Sequence, residues 1–229
     1  MDYGYIKRNL FELRGEISEL SERYSDGAVT LVAVTKSAED SEVVELCRAG
    51  ASDIGENRPQ MLVSREELLR KAGLNPTLHA IGTIQRNKAK LVVPRAALVH
   101  SLDSVKLAEA LNREAVALGI RLPVLIEINS ASEEAKGGVL PKDAEGFLNE
   151  ILAFSSLSVS GLMTMGPVSE SAEDMRPYFR LTKKLYDEFN SRYGFAGGGI
   201  LSMGMSDSYR IAIEEGSTLV RVGRRLFIK

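Results

Sequence analysis

One cysteine in 229 residues removes whole classes of protein at once. Cys47 can form no intrachain disulfide. Its setting in Val43-Val44-Glu45-Leu46-Cys47 is that of a helix core position, so it reads as a buried, inert thiol rather than a nucleophile. Histidine is almost as scarce. His79 and His100 are the only two, and neither has a cysteine or carboxylate at metal-ligand spacing, which argues against a structural zinc or a di-metal centre. No apolar run reaches the length of a bilayer span, and Met1-Asp2-Tyr3-Gly4 leads into a charged helix with no signal-peptide core, so a cytosolic protein is expected. With 29 basic and 31 acidic residues the formal net charge is -2. Nucleic acid and membrane are therefore not expected as partners, and any anionic ligand must be held by local geometry. No glycine-rich phosphate fingerprint follows the first strand, and there is no linker, low-complexity tract or charge block.

What is present is an alternation. The run Leu31-Val32-Ala33-Val34-Thr35-Lys36 is β-branched and apolar, the signature of a buried strand, and it gives way to a polar helix start at Ser37-Ala38-Glu39-Asp40. Similar runs recur at 53–57, 77–82, 97–101, 123–129, 157–164, 200–205 and 218–223. Helical patterns separate them. Ile6, Leu10, Leu13, Ile17, Leu20 and Tyr24 mark a helix ahead of the first strand. Glu42 to Arg48 reads as a helix stopped at Gly50, followed by one from about Gln60 to Lys71. Asp103 or Ser104 can cap a helix whose apolar face is Val105, Ala108, Leu111, Ala115 and Leu118. A longer helix, from about Glu173 to Tyr193, carries Tyr178, Leu181, Leu185 and Phe189 on one side. Eight βα units, often apolar on both strand faces, describe a parallel sheet closed into a single (β/α)8 TIM barrel domain over residues 1–229, with an extra N-terminal helix. An open doubly wound sheet is the structural competitor.

In such a barrel the strand C-termini converge on one face. That face should gather Lys36, Asn57, His79 to Gly82, Ser101, Asn129, Met163 with Thr164, Ser202 with Ser206, and Arg221 with Gly223. Lys36 is the one amine nucleophile candidate: desolvation and neighbouring cations at a strand mouth can lower an ammonium's pKa enough for Schiff-base formation. Taken alone, the same segment equally describes a strand-ending lysine pointing into water. Met203-Gly204-Met205-Ser206-Asp207 leads into a helix through Ile213, for which Ser206 and Asp207 are both good N-caps, and its free N–H groups can face an anion. Gly223 allows close backbone approach. The loops after the last two strands are the usual phosphate site of this fold.

Ala33-Val34-Thr35-Lys36, Gly55-Glu56-Asn57, His79-Ala80-Ile81-Gly82 with Gln85-Arg86-Asn87-Lys88, Lys136-Gly137-Gly138, Gly161-Leu162-Met163-Thr164-Met165, Leu201 to Asp207 and Val220-Arg221-Val222-Gly223 together resemble the pyridoxal phosphate homeostasis proteins, in the same order and over nearly the whole chain. The resemblance implies a fold-type III barrel similar to the N-terminal domain of alanine racemase. It implies pyridoxal 5'-phosphate (PLP) held as an internal aldimine on Lys36, with Asn57 beside the ring and His79 and Met163 in the pocket. Ser202, Ser206 and the backbone of Gly223 and Arg224 would hold the phosphate, and Arg221 would face the pyridine nitrogen. It further implies a carrier or regulator of vitamin B6 supply without robust turnover, with PLP-dependent apo-enzymes or PLP-producing enzymes as partners, and a monomer is expected.

The residues agree with a non-catalytic role. A guanidinium is always charged and cannot accept the pyridine proton, so the ring is a weak electron sink, and racemisation needs a second acid-base group that the barrel alone does not offer. The alternatives are a weak fold-type III PLP enzyme, a racemase or decarboxylase, and a Schiff-base aldolase that takes a sugar phosphate. His79 reads as a hydrogen-bonded strand residue more than a general base. Arg86, Lys88 and Lys90 read as a solvated helix face, with a docking surface for a PLP-donating or PLP-receiving enzyme as the alternative. Several positions depart from the family pattern. Arg224 stands where a small hydroxyl residue is usual, Leu78 and Ala80 where bulkier aromatics would narrow the pocket wall, and Arg58 where an aromatic is common. The chain also stops at Leu226-Phe227-Ile228-Lys229 without the usual glycine extension.

Overall fold

A computed structural model describes residues 3–133, 137–167, 169 and 171–229; Lys136 of the Lys136-Gly137-Gly138 motif lies outside the described residues. Eight parallel strands close into a barrel in chain order: β1 (Thr30–Val34), β2 (Asp53–Glu56), β3 (Thr77–Ala80), β4 (Leu98–Leu102), β5 (Leu122–Glu127), β6 (Leu157–Met163), β7 (Ile200–Ser202) and β8 (Leu219–Val222). β8 returns to β1 with Arg221 opposite Val32. The (β/α)8 expectation therefore holds. Most strands stop short of the ends read from sequence, β1 at Val34 rather than Lys36 and β7 at Ser202 rather than Met205, with single backbone bonds such as Thr35 N–H to Gly55 and Met203 N–H to Leu219 carrying the pairing a little further.

The helices are α1 (Gly4–Tyr24), α2 (Asp40–Arg48), α3 (Pro59–Lys71), α4 (Ala89–Val92), α5 (Val105–Leu118), α6 (Ala144–Leu152), α7 (Arg176–Tyr193) and α8 (Tyr209–Glu214). None among the described residues is long and apolar enough to cross a membrane. On α1 the buried stripe is Ile6, Leu10, Leu13 and Ile17, and it ends on Ser21 rather than on Leu20 and Tyr24. Ser21 Oγ donates to the Ile17 carbonyl and accepts the Val29 N–H, so a polar contact, not an apolar one, ties the helix end to the start of β1. Glu16 pins the same helix to the other end of the chain, receiving Arg225 at 2.8 Å and Arg210 at 2.5 Å. A capping box of Glu39 and Glu42 starts α2, and Gly50 at φ +107° ends it as expected.

Two helix faces are turned from their expected phase. α7 buries Phe179, Thr182, Tyr186 and Phe189, with Tyr178, Leu181 and Leu185 on its flank; the helix starts only at Arg176, after a 3-10 turn over Ala172–Met175, and the three- and four-residue spacing runs back from Phe189. α5 buries Leu107, Ala108, Ala110, Leu111 and Ala115 and leaves Leu118 exposed.

Alternation along each strand divides the apolar residues into two cores. The larger lies between sheet and helices. The smaller, Val32, Leu98, Leu125, Met163 and Leu219 with Ile200 against them, plugs the barrel itself. Above and beside that plug the interior is polar, and there the site is built.

Candidate functional site

Val32 belongs to the interior plug, so Val34, two residues on, shares its inward face. Lys36 stands exposed at the mouth, just past the end of β1. The desolvation expected from strand burial is thus not supplied by its neighbours in the chain. Gly223, just past β8, presses on β1: a Cβ there would come within 2.9 Å of the Val34 carbonyl oxygen. The strand that leads into Lys36 thus packs directly against the end of β8 at the β1/β8 seam. Asn57, half-buried, follows β2 on the other side of β1.

The segment after β7 forms a tight turn over α8 where an anion cradle is expected, with a changed detail. Gly204 takes φ +91°, and a Cβ on it would lie 2.5 Å from Ala212 Cβ, so the tight turn over α8 needs glycine. The N-cap of α8 is Ser208, not Ser206 or Asp207, and Ser208 Oγ accepts the Met205 N–H. That releases Ser206 and Asp207 from capping. Ser206 Oγ accepts the Gly223 N–H at 3.3 Å, and among the described residues the N–H groups of Ser206 and Asp207 have no partner. Arg224 projects outward into an ion pair with Asp207, which places its side chain at the rim of this cradle.

Ser202 does not join it. Its side chain is fully buried inside the barrel, where Oγ accepts from Arg221 Nη1 at 2.5 Å and lies 3.0 Å from His100 Nδ1. Inward parity on β7 points the Ser202 hydroxyl at β8 and β4, where it meets Arg221 and His100. Arg221 is 3% exposed; its second contact is Nη2 to the Thr164 carbonyl at 2.9 Å. Both acceptors are neutral. Burial pushes the Arg221 guanidinium down to about 10, with the Glu127 carboxylate acting through space in the opposite sense.

His79 is buried and hydrogen bonded at both ring nitrogens, 3.0 Å from His100 Nε2 and 3.1 Å from Asp53 Oδ1, so it lies below the mouth as a strand residue. Met163 is fully buried in the interior plug, a floor rather than a wall. Leu78 and Ala80, expected in the pocket wall, pack in the helix-side core, because residues on either side of an inward His79 must face outward. Cys47 is buried, and that burial raises its thiol to about 11, which suits an inert core position. Arg86 and Lys90 are exposed and Lys88 half-buried on one short turn, a solvated face.

Two functional candidates were missed. Glu127 ends β5 on the face of Leu125, 4% exposed, and burial together with the Asp103 carboxylate raises it to about 7 against the opposing pull of Arg221. The signal was there: an acid closing an otherwise apolar strand. His100 carried no signal beyond its rarity. Two depressions of about 550 and 600 Å³ include none of the expected site residues, one beside Asp53 at the opposite end of the barrel and one between α1 and the start of α2. Strand-end chemistry, not cavity size, locates the site. Among the described residues no group of histidine, cysteine and acidic side chains could hold a metal ion.

An amine, a turn with unpartnered N–H groups and a buried arginine toward the mouth of a (β/α)8 barrel have the chemistry to take a phosphorylated carbonyl compound. Residues 9–228 match the family model described as alanine racemase, N-terminal domain. The pyridoxal phosphate homeostasis protein of Aquifex aeolicus is 38% identical over 202 residues, 88% of this chain and 87% of that protein. Among solved structures, an unknown protein from Bifidobacterium adolescentis superposes with a TM-score of 0.90 at 33% identity, covering 99% of this chain and 97% of that one. PipY of Synechococcus elongatus PCC7942, in a structure with PLP bound, gives 0.84 at 28% identity, covering 97% of this chain and all of PipY. The chain belongs to the alanine racemase N-terminal-domain family and, within it, to the pyridoxal phosphate homeostasis proteins.

Proposed function

We propose that the chain binds PLP at the barrel mouth, attached covalently to Lys36, and takes part in cellular PLP homeostasis as a carrier without robust catalysis. The observation that carries this reading is the β1/β8 seam. The strand that leads into Lys36 packs against Gly223, whose N–H donates to Ser206, and this supports an amine and a phosphate held at one seam of the mouth. The naming of the Aquifex relative and the PLP bound in PipY support it.

The residues fit that cofactor. Unpartnered N–H groups at Ser206 and Asp207, with the backbone of Gly223 and Arg224, would receive the phosphate. Asn57 would lie beside the ring. Arg221, whose acceptors are neutral, keeps a positive charge to set against the pyridine nitrogen. When bound, PLP supplies an aldehyde and a ring that can accept electron density. A guanidinium at the nitrogen cannot take up a proton, which keeps that capacity low. Apo-enzymes that receive PLP or enzymes that produce it, a monomeric state and a cytosolic setting belong to the same proposal.

Glu127 favours a second reading. A carboxyl raised to about 7 beside the site is an acid-base group, as a weak racemase or decarboxylase would require. Borohydride treatment of the PLP-loaded protein followed by mass spectrometry should place a pyridoxyl group on Lys36. Lys36→Ala should abolish the label while phosphate contacts retain some PLP. A label on another residue would defeat the assignment, and substantial racemisation or decarboxylation at saturating PLP would favour the second reading.

A further inference from the structure

Five side chains contributed by β8, β7, β4, β3 and β2 form a continuous hydrogen-bonded line through the barrel: Arg221, Ser202, His100, His79 and Asp53. The two ends fix its direction. Arg221 can only donate, so Ser202 Oγ accepts from it and its own proton must go to His100 Nδ1. A bare Nδ1 leaves the proton of a neutral His100 on Nε2, which donates to His79 Nδ1. His79 then carries its proton on Nε2 and donates to Asp53 Oδ1, an acceptor. Every link has one donor and one acceptor, and the line runs one way from guanidinium to carboxylate.

The opposite arrangement leaves a defect. If His79 donated to His100, His100 would donate to Ser202, whose oxygen would receive two donors. The fully buried Ser202 hydroxyl would then have no acceptor among its contacts. The surroundings agree. Burial lowers His100 well below the usual imidazole range, with His79 and Arg221 adding to the effect, and Asp53 is lowered by the hydrogen bond from His79. Among the described residues no carboxylate hydrogen-bonds His100; His79 faces it from β3, and the Arg221 guanidinium stands beyond Ser202. Asp53 borders the depression of about 550 Å³ at the end of the barrel opposite Lys36.

We propose that His100 is a positioning residue for Arg221, the last buried member of a one-way hydrogen-bond line that holds the Ser202 hydroxyl toward itself and leaves the serine lone pairs to the guanidinium. Its effect on the cofactor rests on the PLP reading above; its direction does not.

The chain has only two histidines, so long-range ¹H–¹⁵N correlation spectra of the labelled protein at pH 7 contain two imidazoles. Both should show the Nε2–H neutral pattern. An Nδ1–H tautomer or an imidazolium at His100 would overturn the direction. For the effect on Arg221, PLP titrations compare His100→Gln, whose amide can accept from Ser202 and donate to His79, with His100→Leu, which can do neither. His100→Leu should weaken PLP binding about tenfold and shift the bound cofactor's absorption band, the size of loss that follows removal of a buried hydrogen-bond partner. His100→Gln should restore the wild-type band. A His100→Leu protein with wild-type affinity and band sinks the positioning role, as does a His100→Gln protein no better than His100→Leu. Should His100→Leu not fold, Ser202→Ala carries the same comparison. If wild-type protein shows no borohydride label and no PLP band, the PLP reading fails while the tautomer spectra still decide the line.

Discussion

Two arginines are buried to nearly the same degree, Arg65 at 2% exposure and Arg221 at 3%, and they are held in opposite ways. Arg65 rises from α3 into the layer between sheet and helices. Its Nε donates to Glu56 Oε1 at 3.0 Å, Nη1 pairs with Asp40, and Nη2 reaches the carbonyls of Thr35 and Ala38. Thr35 Oγ1 completes the group by donating to the same Glu56 oxygen. One guanidinium thus fastens β1, β2, α2 and α3 just behind the Lys36 loop, with its charge met by two carboxylates. Arg221 sits inside the barrel on a hydroxyl and a carbonyl, both neutral. A charge so buried and so lightly compensated is costly for folding alone. The first arginine is a fastener, and on the proposed reading the second is a charge reserved for the ligand.

The largest expected effect separates them directly. Arg65→Ala would strand the Glu56 carboxylate in a dry layer where its Oε2 already has no hydrogen-bond partner among the described residues, and should cost about 3–5 kcal/mol in urea unfolding. Replacing both partners together, Arg65→Met with Glu56→Leu, should recover most of that loss. Arg221→Gln strands no hydrogen-bonded carboxylate, since its direct acceptors are a hydroxyl and a carbonyl. Its unfolding midpoint should stay near wild type while PLP binding falls by at least tenfold. If Arg221→Gln proved as destabilising as Arg65→Ala, the distinction between fastener and reserved charge would collapse.

Much of this was legible beforehand, and the part that was not has a common cause. Strand count, order and mouth residues follow from period-two apolar runs broken by helical stretches, and Lys36, Asn57, Ser206 and Gly223 fell where strand ends put them. The misplacements concern the direction of single side chains. Ser202 is placed with the phosphate by the family resemblance, and β7 parity turns its hydroxyl inward to Arg221. Leu78 and Ala80 flank a site residue and for that reason face away from the site. The partners of Arg65 and of His100 are 9 to 102 residues away in sequence, and no local pattern announces contacts made only when the barrel closes.

Glu127 gives an intermediate effect, and its sign is opposite to that of an ordinary paired acid. Its carboxyl rises from the usual 4.5 to about 7 in the folded chain, so the native state holds a proton that the unfolded chain has released between those values. Stability therefore falls as pH rises from about 4.5 to 7 and is level above, by up to about 3 kcal/mol for this group. Glu127→Gln should match wild type near pH 4.5 and exceed it at pH 8 in urea midpoints without PLP. An advantage independent of pH would mean that Glu127 is ionised throughout. It would then serve as the counter-charge that Arg221 otherwise lacks, and the two arginines would differ less than their contacts suggest.

The smallest effect tests the rim. Arg224 and Asp207 form an ion pair with both side chains about three-quarters in solvent, a geometry in which screening and side-chain entropy leave little net attraction. Arg224→Ala should change stability by less than about 1 kcal/mol, because no buried partner is orphaned. It frees Asp207, whose carboxylate then stands uncompensated beside the N–H groups offered to the phosphate. PLP affinity should accordingly fall by only a few fold at low salt, and the deficit should shrink as ionic strength rises, since an exposed charge acts within a screening length of about 8 Å at physiological salt. A loss that salt does not relieve would instead place the Arg224 side chain in direct contact with the phosphate, and the reserve of positive charge at this site would then be shared between the barrel interior and its rim.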